Sequence, residues 1–118
     1  MVKKTNPYIP DRYDIILINL YPQAGSEITK RRPCLVLTPK SLNQAIKKCY
    51  VIPVTNTPPK LATHIPLPLI QKKATGTLIV EQLRSVDFIS RKASKFDVLV
   101  DKNVYQRLCS IVNTLITG

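Results

Sequence analysis

The residues of this chain that can do chemistry are mostly cations, and they are grouped. Between residues 28 and 80 stand nine bases (Lys30, Arg31, Arg32, Lys40, Lys47, Lys48, Lys60, Lys72 and Lys73) and no acid. The seven acids, Asp11, Asp14, Glu27, Glu81, Asp87, Asp97 and Asp101, all lie outside that stretch. Solvated surfaces usually mix the two signs, so a middle this one-sided is a field rather than a scatter. Over 118 residues, 18 Lys+Arg against 7 Asp+Glu give a net charge of +11. Such a charge on so short a chain points to a polyanionic partner, nucleic acid ahead of an anionic membrane surface. Tyrosines could stack on unpaired bases; Tyr21 stands in a loop beside the basic triplet, whereas Tyr105 reads as packed.

Other chemistries are excluded by count. His64 is the single histidine, which rules out paired imidazoles and any multi-histidine zinc site. A lone histidine on a proline-broken strand reads as structural, so His64 is left out of the catalytic set. Cys34, Cys49 and Cys109 are odd in number and form no C-x-x-C. They read as small apolar residues in a reducing compartment. No apolar run approaches the ~20 residues of a membrane helix, and the polar N-terminus is unlike a signal peptide. A cytoplasmic location is expected.

The elements that must position these residues are short. A 118-residue chain with 44% hydrophobic residues is long enough for one core and not for two. Residues 1–12 are polar and read as a loose arm. Asp14 to Leu20 is apolar on both faces, as suits a strand buried within a sheet. Further strands are expected at Cys34–Thr38, Tyr50–Thr55, Thr77–Val80 and around Phe96–Val100. One or two helical turns fit Leu42–Lys48. Pro53 lacks an N–H and belongs at an edge or bulge; His64–Leu69 alternates but carries prolines, which makes it an edge strand. Val104, Leu108, Ile111, Val112 and Leu115 fall on one helical face, with Asp101 as N-cap. With no βαβ alternation, the expected class is α+β: an antiparallel curled sheet or SH3-like barrel with a C-terminal helix, in one domain over residues 1–118.

Four blocks in order resemble the MazF/PemK family of toxin endoribonucleases. They are Asp14–Pro22; Gly25-Ser26-Glu27 followed by Arg32-Pro33 and an apolar strand; Val51-Ile52-Pro53-Val54-Thr55; and Glu81-Gln82-Leu83-Arg84-Ser85-Val86-Asp87. The likeness spans roughly residues 11 to 117. Tyr13 and Lys30 stand where relatives usually carry glycine, and Tyr21 where aspartate is common.

The resemblance implies metal-independent, sequence-selective cleavage of single-stranded RNA, with no metal and no cofactor. The 2′-OH attacks the adjacent phosphorus and leaves a 2′,3′-cyclic phosphate and a 5′-OH. Arg32 matches the family's catalytic arginine, and its planar fork suits a phosphoryl group better than it suits proton donation. Thr55 matches the catalytic threonine; its hydroxyl can orient the 2′-OH or a phosphate oxygen. Glu81 and Glu27 are the carboxylates for proton transfer or for fixing Arg32. Ser26, Lys30, Arg31, Asn56, Gln82 and Arg84 are expected to hold RNA, with Gln82 and Asn56 carrying both donor and acceptor, as base edges do.

The implied assembly is a homodimer with RNA across a basic groove, opposed by an antitoxin whose acidic tail occupies that groove. A chain at +11 suits such a tail on charge alone. Two other functions fit the same fold: a CcdB-like topoisomerase poison and a non-catalytic RNA-binding module.

Overall fold

The computed structural model describes residues 7–19, 31–68, 71 and 73–118. The strands are β1 (Asp14–Asn19), β2 (Arg31–Val36), β3 (Cys49–Thr55), β4 (His64–Pro66), β5 (Thr77–Ile79), β6 (Arg84–Val86) and β7 (Ser94–Val98). The helices are α1 (Lys40–Ile46) and α2 (Lys102–Thr117), with a 3-10 turn at Val80–Gln82. All pairings are antiparallel. The order is β4-β5-β3-β2-β1-β7, with β6 beside β3. Among the described residues the ends of this order, β4 and β7, do not pair, so the sheet is open and not a closed barrel. No helix of the described residues is long and apolar enough to cross a membrane.

Alternation along the strands creates two apolar layers. Ile15, Leu35, Ile52, Val54 and Leu78 face one way and meet Leu108 of α2, with Val104, Ile111 and Val112 alongside. Ile16, Ile18, Cys34, Val36, Cys49 and Val51 face the other way and are covered by Val86 and Phe88, with Tyr8 and Ile9 packed on top. An antiparallel strand normally has one wet face; β1 is apolar at all four positions from Ile15 to Ile18 because both of its faces are covered. Asp101 caps α2 as expected, its Oδ1 accepting from Asn103 N at 2.9 Å.

Residues 7–12 are not a loose arm. They complete the second layer, and the Tyr8 hydroxyl donates to the buried Asp14 carboxylate. Pro10 O accepts from Asn43 Nδ2 at 2.8 Å, and Asp11 Oδ1 accepts from Lys40 N at 2.9 Å. The polar composition of this segment concealed a strap tied down by its own polar groups.

Pro53 lies inside the sheet, not at an edge. β3 pairs with β6 through Cys49–Val51 and with β5 through Val54–Thr55, so its partner changes at Pro53. Leu37 N donates to Tyr50 O across to β3. By alternation the polar groups of Pro53 then point away from β2, towards the junction of β5 and β6. A missing N–H is tolerated there because no single strand runs past it.

Candidate active site

β2 begins at Arg31, three residues earlier than Cys34, and this brings Arg32 into the ladder opposite Ile18. Side chains two apart share a face. Arg32 therefore stands on the face of Cys34 and Val36, and Thr55 on the face of Val51 and Pro53. At one end of this face the apolar layer is closed over. At the other end it opens into a cleft of about 310 Å³ lined by Arg32, Pro53, Val54, Thr55, Thr57, His64, Ile79, Glu81 and Gln82. Arg32, Thr55, Glu81 and Gln82, which come from β2, β3 and the 3-10 turn, are thus brought together.

Glu81 is the most firmly held of them. Thr63 Oγ1 donates to its Oε1 at 2.5 Å, and His64 Nε2 lies 3.0 Å from its Oε2. Burial pushes the carboxyl up, but the hydrogen bonds from Thr63 and His64 outweigh it and hold Glu81 below the usual carboxylate range. Glu81 is accordingly ionised at neutral pH. Among the described residues Thr55 Oγ1 has only long contacts, 3.3 Å to Thr57 Oγ1 and 3.5 Å from Thr57 N. At such lengths its hydroxyl remains available to a ligand. The cleft therefore combines a guanidinium for an anion, a hydroxyl for orientation and a fixed carboxylate that accepts from a donor.

A model of the PemK-like, MazF-like toxins of type II toxin–antitoxin systems matches residues 11–116. The chain belongs to this family. It is 27% identical over 109 residues to the endoribonuclease toxin MazF of Escherichia coli K12, covering 92% of this chain and 96% of that one. It is 30% identical over 112 residues to the endoribonuclease toxin ChpB of the same strain, covering 92% and 93%. A crystal structure of MazE–MazF from Deinococcus radiodurans superposes with a TM-score of 0.82 at 28% identity, covering 92% and 96%.

Two lining residues of this PemK/MazF-like cleft escaped the sequence reading. His64 enters because β4 pairs with β5 in the register His64↔Ile79, which sets it beside Glu81. The only signal for it was the alternation of a short edge strand whose partner the sequence does not name. Thr57 enters through the turn after β3, two residues beyond Thr55.

Arg31 does not enter the cleft. It is one residue from Arg32 and so faces the opposite side of β2. Its Nη2 donates to Leu17 O (2.9 Å), Lys92 O (2.6 Å) and Ser94 Oγ (2.9 Å), tying β2 to β1 and β7. Asn56 is exposed and does not line the cleft. Arg84 pairs opposite Val51, on the sheet face of Thr55, but outside the lining. Ser26, Glu27 and Lys30 lie outside the described residues, as does Tyr21. Tyr13, immediately before β1, has a positive φ of 77°, in the region that favours glycine. Its ring is held edge-on to Tyr105 at 4.9 Å, with Lys102 Nζ 3.5 Å above it.

Proposed function

We propose that this chain is an endoribonuclease toxin that cuts single-stranded RNA at selected sequences without a metal ion. The observation that carries the reading is the convergence of Arg32, Thr55 and Glu81 on one cleft. RNA cleavage by its own 2′-OH needs the hydroxyl aligned and deprotonated, the phosphorane charge stabilised and the 5′ oxygen protonated. Arg32 binds the non-bridging oxygens and stabilises the charge that grows on them. Thr55 orients the 2′-OH or a phosphate oxygen. Glu81 accepts from the 2′-OH and fixes its direction, although a carboxyl held below the usual range is a weak base. Glu27 is the second carboxylate available for proton transfer. Gln82 reads a base edge beside the cut. The products are a 2′,3′-cyclic phosphate and a 5′-OH.

The assembly follows the same chemistry. A homodimer would extend the cationic surface for RNA in the cytoplasm. An antitoxin with an acidic segment would compete for it, a reading supported by the charge of +11 and by the MazE–MazF complex among the relatives.

The test is incubation of the protein with a long single-stranded RNA, with and without EDTA, followed by mapping of the ends. Cuts at defined short sites that persist in chelator and vanish on 2′-deoxy substitution at the cut support the reading. Arg32→Ala should lower the rate by about 1,000-fold, the scale seen when one transition-state donor is removed. Arg32 is exposed, so the melting temperature should hardly move. Inhibition of DNA supercoiling without RNA scission, or salt-sensitive RNA retention without scission, overturns the assignment.

A further inference from the structure

The following inference rests on Glu81 serving the RNA-cleaving cleft. We propose that His64 is a positioning residue, a neutral imidazole that fixes the Glu81 carboxylate through one nitrogen while the 60–64 turn grips the other.

The hydrogen bonds assign the tautomer. His64 Nδ1 lies 3.1 Å from Lys60 N and 3.3 Å from Leu61 N. Both partners are backbone N–H donors, so Nδ1 presents its lone pair. The proton is then on Nε2, which donates to Glu81 Oε2 at 3.0 Å. Both ring nitrogens are occupied, and neither is left to exchange a proton with a substrate. In a Ser-His-Asp triad a carboxylate orients the imidazole that does the chemistry. Here the order is reversed: the backbone orients the imidazole, and the imidazole orients the carboxylate.

The strut is anchored at both ends. His64 N donates to Leu61 O at 3.0 Å, closing the turn, and Val80 N donates to Thr63 O at 3.2 Å, tying it to the residue before Glu81. The His64 side chain is only 10% exposed, whereas a third of the Glu81 side chain is open to solvent. Thr63 holds Oε1 and His64 holds Oε2, so rotation about the broad terminal torsion of Glu81 is stopped from both sides. Each oxygen keeps a lone pair for a donor on the nucleotide.

Two substitutions separate the two nitrogens. His64→Gln carries an amide N–H₂ near the place of Nε2 and keeps the donor to Glu81. His64→Asn carries an amide oxygen near the place of Nδ1 and keeps the acceptor for Lys60 and Leu61, but falls short of Glu81. His64→Asn should lose about 10-fold or more in kcat with KM within about two-fold, and His64→Gln should stay within about three-fold of the parent. Equal loss in both variants, with a limb removed from the kcat–pH profile, would mark His64 as an acid or base and overturn the proposal.

Two measurements do not depend on cleavage. Ring ¹⁵N shifts of His64 at neutral pH should report the Nε2–H tautomer. The Glu81 carboxyl, followed by ¹³C NMR, should titrate higher in His64→Asn and unchanged in His64→Gln. An Nδ1–H tautomer, or a Glu81 titration indifferent to both substitutions, refutes the proposal however RNA behaves. A parent protein that leaves RNA intact while showing the Nε2–H tautomer and the Asn-specific shift counts against the endoribonuclease reading alone and supports the His64 geometry.

Discussion

Gly76 governs where Thr55 sits, and Gly76→Ala is the sharpest available perturbation of the cleft that substitutes none of its lining residues. Gly76 immediately precedes β5, whose Thr77 pairs with Thr55, and it has φ of +125°. A Cβ added there would lie 2.2 Å from Thr55 O, about 0.8 Å inside the 3.0 Å that real Cβ contacts respect. The overlapping atom and Thr55 C at 3.1 Å are backbone, and the third neighbour, Val54 Cγ1 at 3.1 Å, belongs to a stiff β-branched side chain, so no flexible chain end can swing aside to relieve the clash. Holding an L-residue at positive φ costs about 1–2 kcal/mol. Relieving the overlap by shifting β3 against β5 adds about 1–3 kcal/mol. Gly76→Ala should therefore lose roughly 3 kcal/mol, or about 10 °C in melting temperature for a domain of this size. The retreat of Thr55 by most of an ångström should also cost on the order of 100-fold in kcat, because a positioned group loses about that much per ångström of misplacement. Thermal melts and initial rates on single-stranded RNA, taken at a temperature where both proteins are folded, measure the two effects. The exposed neighbour Thr75→Ala should change stability by no more than about 0.5 kcal/mol. A Gly76→Ala protein that melts with the parent, or cuts at the parent's rate while folded, would refute the coupling of β5 to Thr55.

Two more substitutions probe the frame. Tyr13→Ala keeps the positive φ and removes the ring contacts, whereas Tyr13→Gly removes the ring and the strain together; urea unfolding should find the glycine variant more stable than the alanine variant by about 1–2 kcal/mol. Equal stabilities would mean that φ near 77° costs tyrosine nothing here. For Asp97, burial pushes the carboxyl up, but hydrogen bonds from Ala74 N, the Gln71 side chain, Lys73 N and Val98 N draw it down to about 2. A depressed carboxyl contributes stability that is full above its unfolded value and is lost as pH falls through its folded one. Asp97→Asn should cost about 1 kcal/mol at neutral pH once solvent screening is allowed for. The gap to the parent should narrow from about pH 4 and close by about pH 1, below the folded value. Urea unfolding at several pH values checks this, and a gap that has not narrowed by about pH 1 would show that the charge is not its source.

Where the sequence read well, one strand sufficed to carry the information. β1 is apolar at successive positions, and α2 repeats its apolar residues along one stripe, so both announce themselves without knowledge of a partner. Arg32 and Thr55 were legible as candidates because Arg32 directly precedes Pro33 and Thr55 follows Pro53 by two residues, each in a recognisable block. What escaped depends on register between strands. Arg31 and Arg32 read as one cationic patch, yet a ladder that begins at Arg31 turns them to opposite faces and commits Arg31 to the carbonyls of Leu17 and Lys92. His64 read as structural because nothing local says that β4 lies against β5. β6, three residues long, has no period of its own and exists only because β3 offers it an edge beside Cys49–Val51. Tyr8 and Ile9 were hidden in the same way, since covering a second apolar layer is a property of the assembled sheet.

The lowered pKa of Glu81 bears on how the cleft divides its labour. A carboxylate that accepts from Thr63 and His64 gains a fixed direction and loses basicity, because the same hydrogen bonds that orient its charged form make that form harder to protonate. Its charge also sorts the substrate. An ionised Glu81 repels a phosphodiester that Arg32 attracts, and both line one cleft. A nucleotide bound there must turn its diester to Arg32 and a hydrogen-bond donor, the ribose hydroxyl or an exocyclic amine, to Glu81. On the proposed function, the acid in this strongly basic chain is an orienting element: it disfavours the binding mode in which the backbone runs through the cleft reversed, and leaves to Arg32 the stabilisation of the charge that forms at phosphorus.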